Sequence, residues 1–190
     1  MTNQIKILGF AGSLRKESYN RKLLEISRNL LPEGTLFETF DLIDIPLFNR
    51  DVEKQGFPPG VLSFRSAIQR ADALLIACPE YNSSITGVLK NAIDWASRSE
   101  NKQPNPLEKK PVAMLGAGGS GGTRRSQYHL RSILNHLDMY VVNKPEVLIN
   151  MPGRQVFDEQ GNLLDDHAVN LIQRLLDNLV EYTKILNRHS

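Results

Sequence analysis

A chain of 190 residues, 41 % hydrophobic and 23 % charged, carries enough apolar material for one buried core and points to a single domain over 1–190. Its 23 basic and 21 acidic side chains leave a formal net charge of +2, so the pI near 8.7 reflects a small imbalance rather than a basic face, and neither nucleic acid nor an anionic membrane is expected as a partner. A lone cysteine, Cys78, excludes an internal disulfide framework and a cysteine-rich metal site and fits the reducing cytoplasm; no apolar stretch approaches the roughly 18 residues that span a bilayer.

The apolar run Ile5 to Phe10 predicts a first strand, followed by the polar stretch GSLRKESYN (residues 12–20) and a helix over 18–31. Leu36 to Leu42 is the weakest strand candidate, and a helix is expected over 60–71. Ala73 to Ala77 predicts the third strand, leading through CPEYNSSITG into a helix over 84–98 with Ser84 as its cap. Ser99 to Lys110, with prolines at 104 and 106, reads as a long surface loop before the strand Val112 to Leu115. GAGGSGGTRR then opens a helix over 122–137, whose Leu130, Ile133, Leu134 and Leu137 share one stripe. A fifth strand falls at Val141-Val142 or at Val147 to Ile149. Asp165-Asp166 reads as cap and first-turn charge for a helix over 166–186, striped by Ala168, Leu171, Ile172, Leu175, Leu176 and Leu179. Unbroken apolar runs alternating with amphipathic helices indicate strands buried on both faces, hence a doubly wound α/β domain of five βα units.

Such a sheet binds ligands beyond the carboxyl ends of its strands, and the polar small-residue loops follow strands one, three and four. In the first, the hydroxyls of Ser13 and Ser18, the amide of Asn20, the helix N-terminus and the Arg15 fork suit an anion. The competing reading has Ser18 or Asn20 merely capping the helix and Arg15 solvated. The G-x-x-x-x-G-K-[ST] pattern is absent, which favours a metal-free phosphate monoester over a nucleoside triphosphate. In the loop after strand three, Pro79 turns the chain out of the sheet, the amides of Glu80 to Ser83 can meet the edge of a heterocycle, and Tyr81 offers a ring or hydroxyl. Cys78 reads as a core thiol, having no adjacent histidine or lysine to activate it.

The loop after strand four carries two misleading matches. Gly116 to Gly121 fits G-x-G-x-x-G, but a dinucleotide site belongs to the first βαβ unit and needs an acid at the end of the next strand, whereas Asp138 precedes that strand. Gly118 to Gly122 fits G-x-S-x-G, so a serine hydrolase using Ser120, with His167 and Asp158 or Asp165 downstream, is an alternative function. A glycine-rich run also lets a planar ligand approach the backbone. His129 and His136 are not spaced as a chelating pair and read as structural or surface residues.

Taken together, GSLRKESYN, PEYNSSITGVLKNAIDWASR and GGTRRSQYHLRSIL…NKPE resemble the NADPH-dependent FMN reductase family of flavodoxin-like proteins, specifically its quinone and chromate reductase branch. The resemblance implies a five-stranded parallel sheet in order 2-1-3-4-5 with helices on both faces and non-covalent FMN. It also implies that Ser13, Arg15, Ser18 and Asn20 hold the 5′-phosphate, that Pro79, Glu80, Tyr81 and Asn82 border the isoalloxazine, and that Gly116, Ala117 and Gly118 approach its pyrimidine side. Relatives often carry a hydroxyl around 116–117, where this chain has glycine and alanine. The implied reaction passes hydride from NADPH or NADH to flavin and then to a quinone, a nitro or azo compound, chromate or free flavin, with ping-pong kinetics and no catalytic side chain. A homodimer or homotetramer is implied, with Ile85, Leu89 and Trp95 as contact candidates, although a helix tryptophan is more often core than interface. A flavin electron carrier or regulatory module on the same fold is the non-enzymatic alternative.

Overall fold

The unbroken apolar runs become strands covered on both faces. In the computed structural model, which describes residues 4–99, 105–153 and 155–188, the elements are β1 (Ile5–Ala11), α1 (Tyr19–Asn29), β2 (Thr35–Phe40), α2 (Arg50–Gln55), α3 (Pro59–Arg70), β3 (Ala73–Ala77), α4 (Gly87–Ala96), β4 (Pro111–Gly118), α5 (Arg124–His136), β5 (Tyr140–Val141), β6 (Val147–Asn150) and α6 (Asp166–Asn187). The strands form one parallel sheet in the order β2-β1-β3-β4-β5, with β6 also paired to β4. Strand order reverses between β1 and β3, which places the switch point of a flavodoxin-like sheet at their carboxyl ends.

Strand alternation splits the core in two. Ile5, Ile7, Leu75, Ala77, Leu115 and Ala117 face α1 and α6, while Leu8, Phe10, Leu74, Ile76, Val112 and Met114 face α3, α4 and α5. The α6 stripe packs as its spacing predicts, with Ile172, Leu175, Leu176 and Leu179 all buried, and Asp165 accepts from the Ala168 amide as its cap. Both candidates for the fifth strand are real: β5 pairs with Pro111 and Val112, and β6 continues the same edge against Leu115 to Gly118.

Other expectations are corrected. The second strand stops at Phe40, because Asp41 turns the chain into a 3-10 turn at Leu42–Asp44 by accepting from the Ile43 amide. Helix α2 has no buried residue and hence no apolar stripe to reveal it. Helix α4 starts at Gly87 with Thr86 as cap, its hydroxyl accepting from the Leu89 amide, whereas Ser84 lies in a tight turn. Trp95 and Leu89 are fully buried and therefore core rather than a subunit contact; the indole donates to the Pro46 carbonyl at 2.8 Å and lies edge-on to Phe48 and Phe57. Of the expected loop Ser99 to Lys110, residues 100–104 lie outside the described residues, and the remainder turns inward to bury Leu107. No helix among the described residues is long and apolar enough to cross a membrane.

Candidate functional site

The three polar loops converge at the carboxyl edge of β1, β3 and β4, and buried hydrogen bonds hold each in place. The Gly12 amide donates to the Ala77 carbonyl at 3.0 Å, and Thr86 Oγ1 donates to the Gly12 carbonyl at 2.6 Å. A Cβ on Gly12 would fall 2.8 Å from Leu89 Cβ and 3.0 Å from Pro79 Cδ, so only glycine lets the first loop lie this close to the loop after β3.

Beyond Gly12 the chain opens into an anion seat. Ser13 and Ser18 are buried, and Ser18 occupies the cap position of α1 without making a side-chain cap bond. Among the described residues, the amides of Tyr19 and Asn20 at this helix start take no hydrogen bond, and the exposed Arg15 makes no ion pair. The nearby Arg21 and Lys22 are paired with Asp41 and Glu17. Orphan helix amides, two hydroxyls and an unpaired guanidinium are the donor set a phosphate monoester requires. Asn20 differs from expectation: its carboxamide is engaged with the backbone of Ala117, donating to the carbonyl at 2.9 Å and accepting from the amide at 3.1 Å.

After β3, Tyr81 and Ser84 exchange backbone hydrogen bonds at 3.1 and 3.0 Å around Asn82 and Ser83, whose φ values of 50° and 63° lie in the left-handed region. This tight turn leaves the amides of Glu80, Asn82 and Ser83 without partners among the described residues, and the Tyr81 side chain is exposed. The loop is tied to α5 twice. The Glu80 carboxylate accepts from the amides of Arg125 and Ser126 at 3.0 and 3.2 Å, and Ser84 Oγ meets His129 Nδ1 at 3.0 Å. Cys78 is buried under this loop, and burial pushes its thiol up to about 12 despite the Ser126 hydrogen bond, so it is no nucleophile.

The glycines at the end of β4 and in the loop that follows fall into two kinds. A Cβ on Gly116 would lie 2.2 Å from Thr123 Oγ1 and 2.5 Å from the Cys78 carbonyl, and one on Gly118 would lie 2.6 Å from the Gly122 carbonyl, whereas Gly119 and Gly121 have nothing within 4 Å. The absent hydroxyl at 116 thus has a steric cause: Thr123, itself fully buried, occupies the space and accepts from Gln127 Nε2 at 3.0 Å. Ser120 is exposed in the turn, while His129 is bonded to Ser84 and His167 stands in the first turn of α6, so no imidazole is hydrogen-bonded to the hydrolase candidate among the described residues. Asp138 lies at the opposite, amino edge, where its carbonyl accepts from the Lys109 amide.

The roles of Thr86, Thr123 and the Glu80 carboxylate were not legible in the sequence. A threonine in a polar loop carries no signal of its own, and a glutamate in PEYN has no local partner. No group of histidine, cysteine, aspartate or glutamate among the described residues is arranged to hold a metal ion. With amides unpartnered among the described residues in the loop after β3 and orphan donors at α1, the donor set present fits FMN, the α1 donors being suited to a phosphate and the loop amides to the edge of a planar ring.

Comparison with known proteins agrees with this chemistry. The pattern that defines a family described as NADPH-dependent FMN reductase matches residues 5–152. An NAD(P)H-dependent FMN reductase of Pseudomonas aeruginosa is 52 % identical over 180 residues, covering 94 % of this chain and 95 % of that protein. An NAD(P)H:quinone oxidoreductase of Solanum tuberosum is 45 % identical, with 90 % of this chain and 89 % of that protein covered. Among solved structures, the flavoenzyme NAD(P)H:(acceptor) oxidoreductase FerB of Paracoccus denitrificans superposes with a TM-score of 0.84 at 30 % identity, covering 95 % of this chain and 97 % of its own.

Proposed function

The chain belongs to the NADPH-dependent FMN reductase family, an oxidoreductase family that works with FMN and NAD(P)H, and from that premise we propose that it reduces a quinone by accepting hydride from NAD(P)H. The observation that supports the site is, among the described residues, the start of α1 without a side-chain cap and an Arg15 side chain without an ion pair, together with the unpartnered amides of Glu80, Asn82 and Ser83 in the loop that Gly12 allows to lie close by. Ser13, Ser18, Arg15 and the first amides of α1 bind the flavin phosphate. Pro79, Tyr81 and the left-handed turn at Asn82 and Ser83 lie along the ring, with Glu80 holding that turn against α5. Gly116, Ala117 and Gly118 present backbone alone at the end of β4. Bound FMN supplies the hydride chemistry; the protein supplies binding, orientation and an open face.

The open side of the site in this reading is the one marked by the exposed Tyr81 and by Gly119 and Gly121, whose Cβ positions meet no described atom within 4 Å. Nicotinamide and quinone occupy that side in turn, which gives ping-pong kinetics. Initial rates with NADPH and 1,4-benzoquinone varied together should give parallel double-reciprocal lines; intersecting lines would mean that both substrates bind at once and would overturn the shared face. The same assay with nitro and azo compounds, chromate and free FMN ranks the other acceptors, and quinone is expected to have the highest kcat/KM. Assembly as a homodimer or homotetramer in the cytoplasm is part of this proposal, with the half-buried Ile85 retained as a contact candidate.

A further inference from the structure

The contact between Asn20 and Ala117 joins residues 97 positions apart, and its placement in the sheet is informative. In a parallel strand the backbone groups of successive residues face alternate neighbours. The Leu115 carbonyl accepts from Cys78 and so faces β3, while the Gly118 carbonyl accepts from Met151 and so faces the β6 side. Ala117 therefore faces the β3 side, but β3 ends at Ala77, whose partner on β4 is Leu115. The Ala117 amide and carbonyl would be orphaned there, and the Asn20 carboxamide supplies one acceptor and one donor in the arrangement of a peptide group. Asn20 is 5 % exposed and is the second residue of α1, directly behind the phosphate seat.

We propose that Asn20 is a positioning residue: it acts as a one-residue continuation of β3 that locks the start of α1 to the end of β4, and so sets the distance between the phosphate seat and the ring edge without recognising phosphate itself. The proposal rests on the flavin reading above, in which a single rigid ligand spans those two places. Its acceptor oxygen is aimed at the Ala117 amide, 3.1 Å away, and an acceptor has no use against a phosphate. The Arg15 guanidinium, in contrast, has no partner among the described residues, the residue's hydrogen bonds being those of its backbone to Ser13 and Ser18.

The two roles separate when FMN is compared with riboflavin, which has the ring and ribityl chain without the phosphate. Titrating apoprotein with each flavin, the Asn20→Ala variant should lose about tenfold in affinity for both, the scale of a buried hydrogen-bonding group left unpaired, and keep the wild-type preference for FMN over riboflavin. Collapse of that preference would make Asn20 a phosphate ligand and overturn the proposal. Unchanged affinity for both flavins, whatever happens to Tm, would make the contact merely structural and overturn it equally. Asn20→Ser is judged by the same ratio should the alanine variant not fold. A wild-type protein that bound neither flavin would remove the flavin reading itself, and the proposal with it, a result distinct from the other two.

Discussion

Two helices of this protein begin in the same way and end up with opposite capacities. Both α1 and α5 follow a buried strand and a loop of small and polar residues, and both carry basic residues in the first turn. On motif alone α5 is the more conspicuous of the two, with G-x-G-x-x-G ahead of it and Arg124 and Arg125 in its first turn. At α5 that capacity is already used. The Glu80 carboxylate accepts from the Arg125 and Ser126 amides, and Arg125 and Arg124 lie 3.4 and 3.6 Å from Glu80 and Glu146. At α1, among the described residues, no carboxylate accepts from the helix amides: Asp41 and Glu17 pair instead with Arg21 and Lys22, Ser18 makes no cap bond and the Arg15 side chain makes no ion pair. A helix N-terminus binds a foreign anion only if the protein has not supplied one of its own. The glycines at the end of β4 and beyond it then serve packing: Gly116, Gly118 and Gly122 admit Thr123, Gly122 and Leu148 at distances no side chain allows.

The contrast can be broken at several points. The largest effect is expected from Gly116→Val, which drives side-chain atoms into Thr123 and the Cys78 carbonyl and should destabilise the protein by about 3 kcal/mol or more in urea unfolding. Gly121→Ala, a few residues on in open space, should change stability by less than about 1 kcal/mol; equal losses would mean that the glycines are not of two kinds. Next is Glu80→Ala, which uncaps α5 and frees the turn at Asn82 and Ser83. A loss of about 1–2 kcal/mol is expected by the same unfolding measurement, and no loss would show that the carboxylate does not hold the helix.

How much of this was readable depended on the range of the interaction. Strands β1, β3 and β4 were legible because burial on both faces demands an unbroken apolar run, while β2, an edge strand with Leu36 45 % exposed, was blurred at its end. The long α6 showed itself by its stripe, and α2, which buries nothing, showed nothing. Ser84 is the cap expected from the sequence; the left-handed Asn82 and Ser83 commit it to the turn and leave Thr86 to start the helix. The loops were found because small polar residues after strands are a local signal. What each side chain does there was hidden, since Asn20 with Ala117, Glu80 with α5 and Thr86 with Gly12 are partners distant in sequence. Trp95 turned inward for a similar reason: the loop residues Pro46, Phe48 and Phe57 that cover it come from another part of the chain.

The comparison between the two helix starts is tested most directly by titrating FMN into apoprotein carrying Arg15→Ala and, side by side, Arg125→Ala. With the phosphate at α1, Arg15→Ala weakens binding by about 1.5–3 kcal/mol, the scale of a charge-assisted hydrogen bond, and Arg125→Ala by less than about 0.5 kcal/mol. Unchanged affinity in Arg15→Ala, or a loss confined to Arg125→Ala, would put the phosphate elsewhere and contradict the assignment.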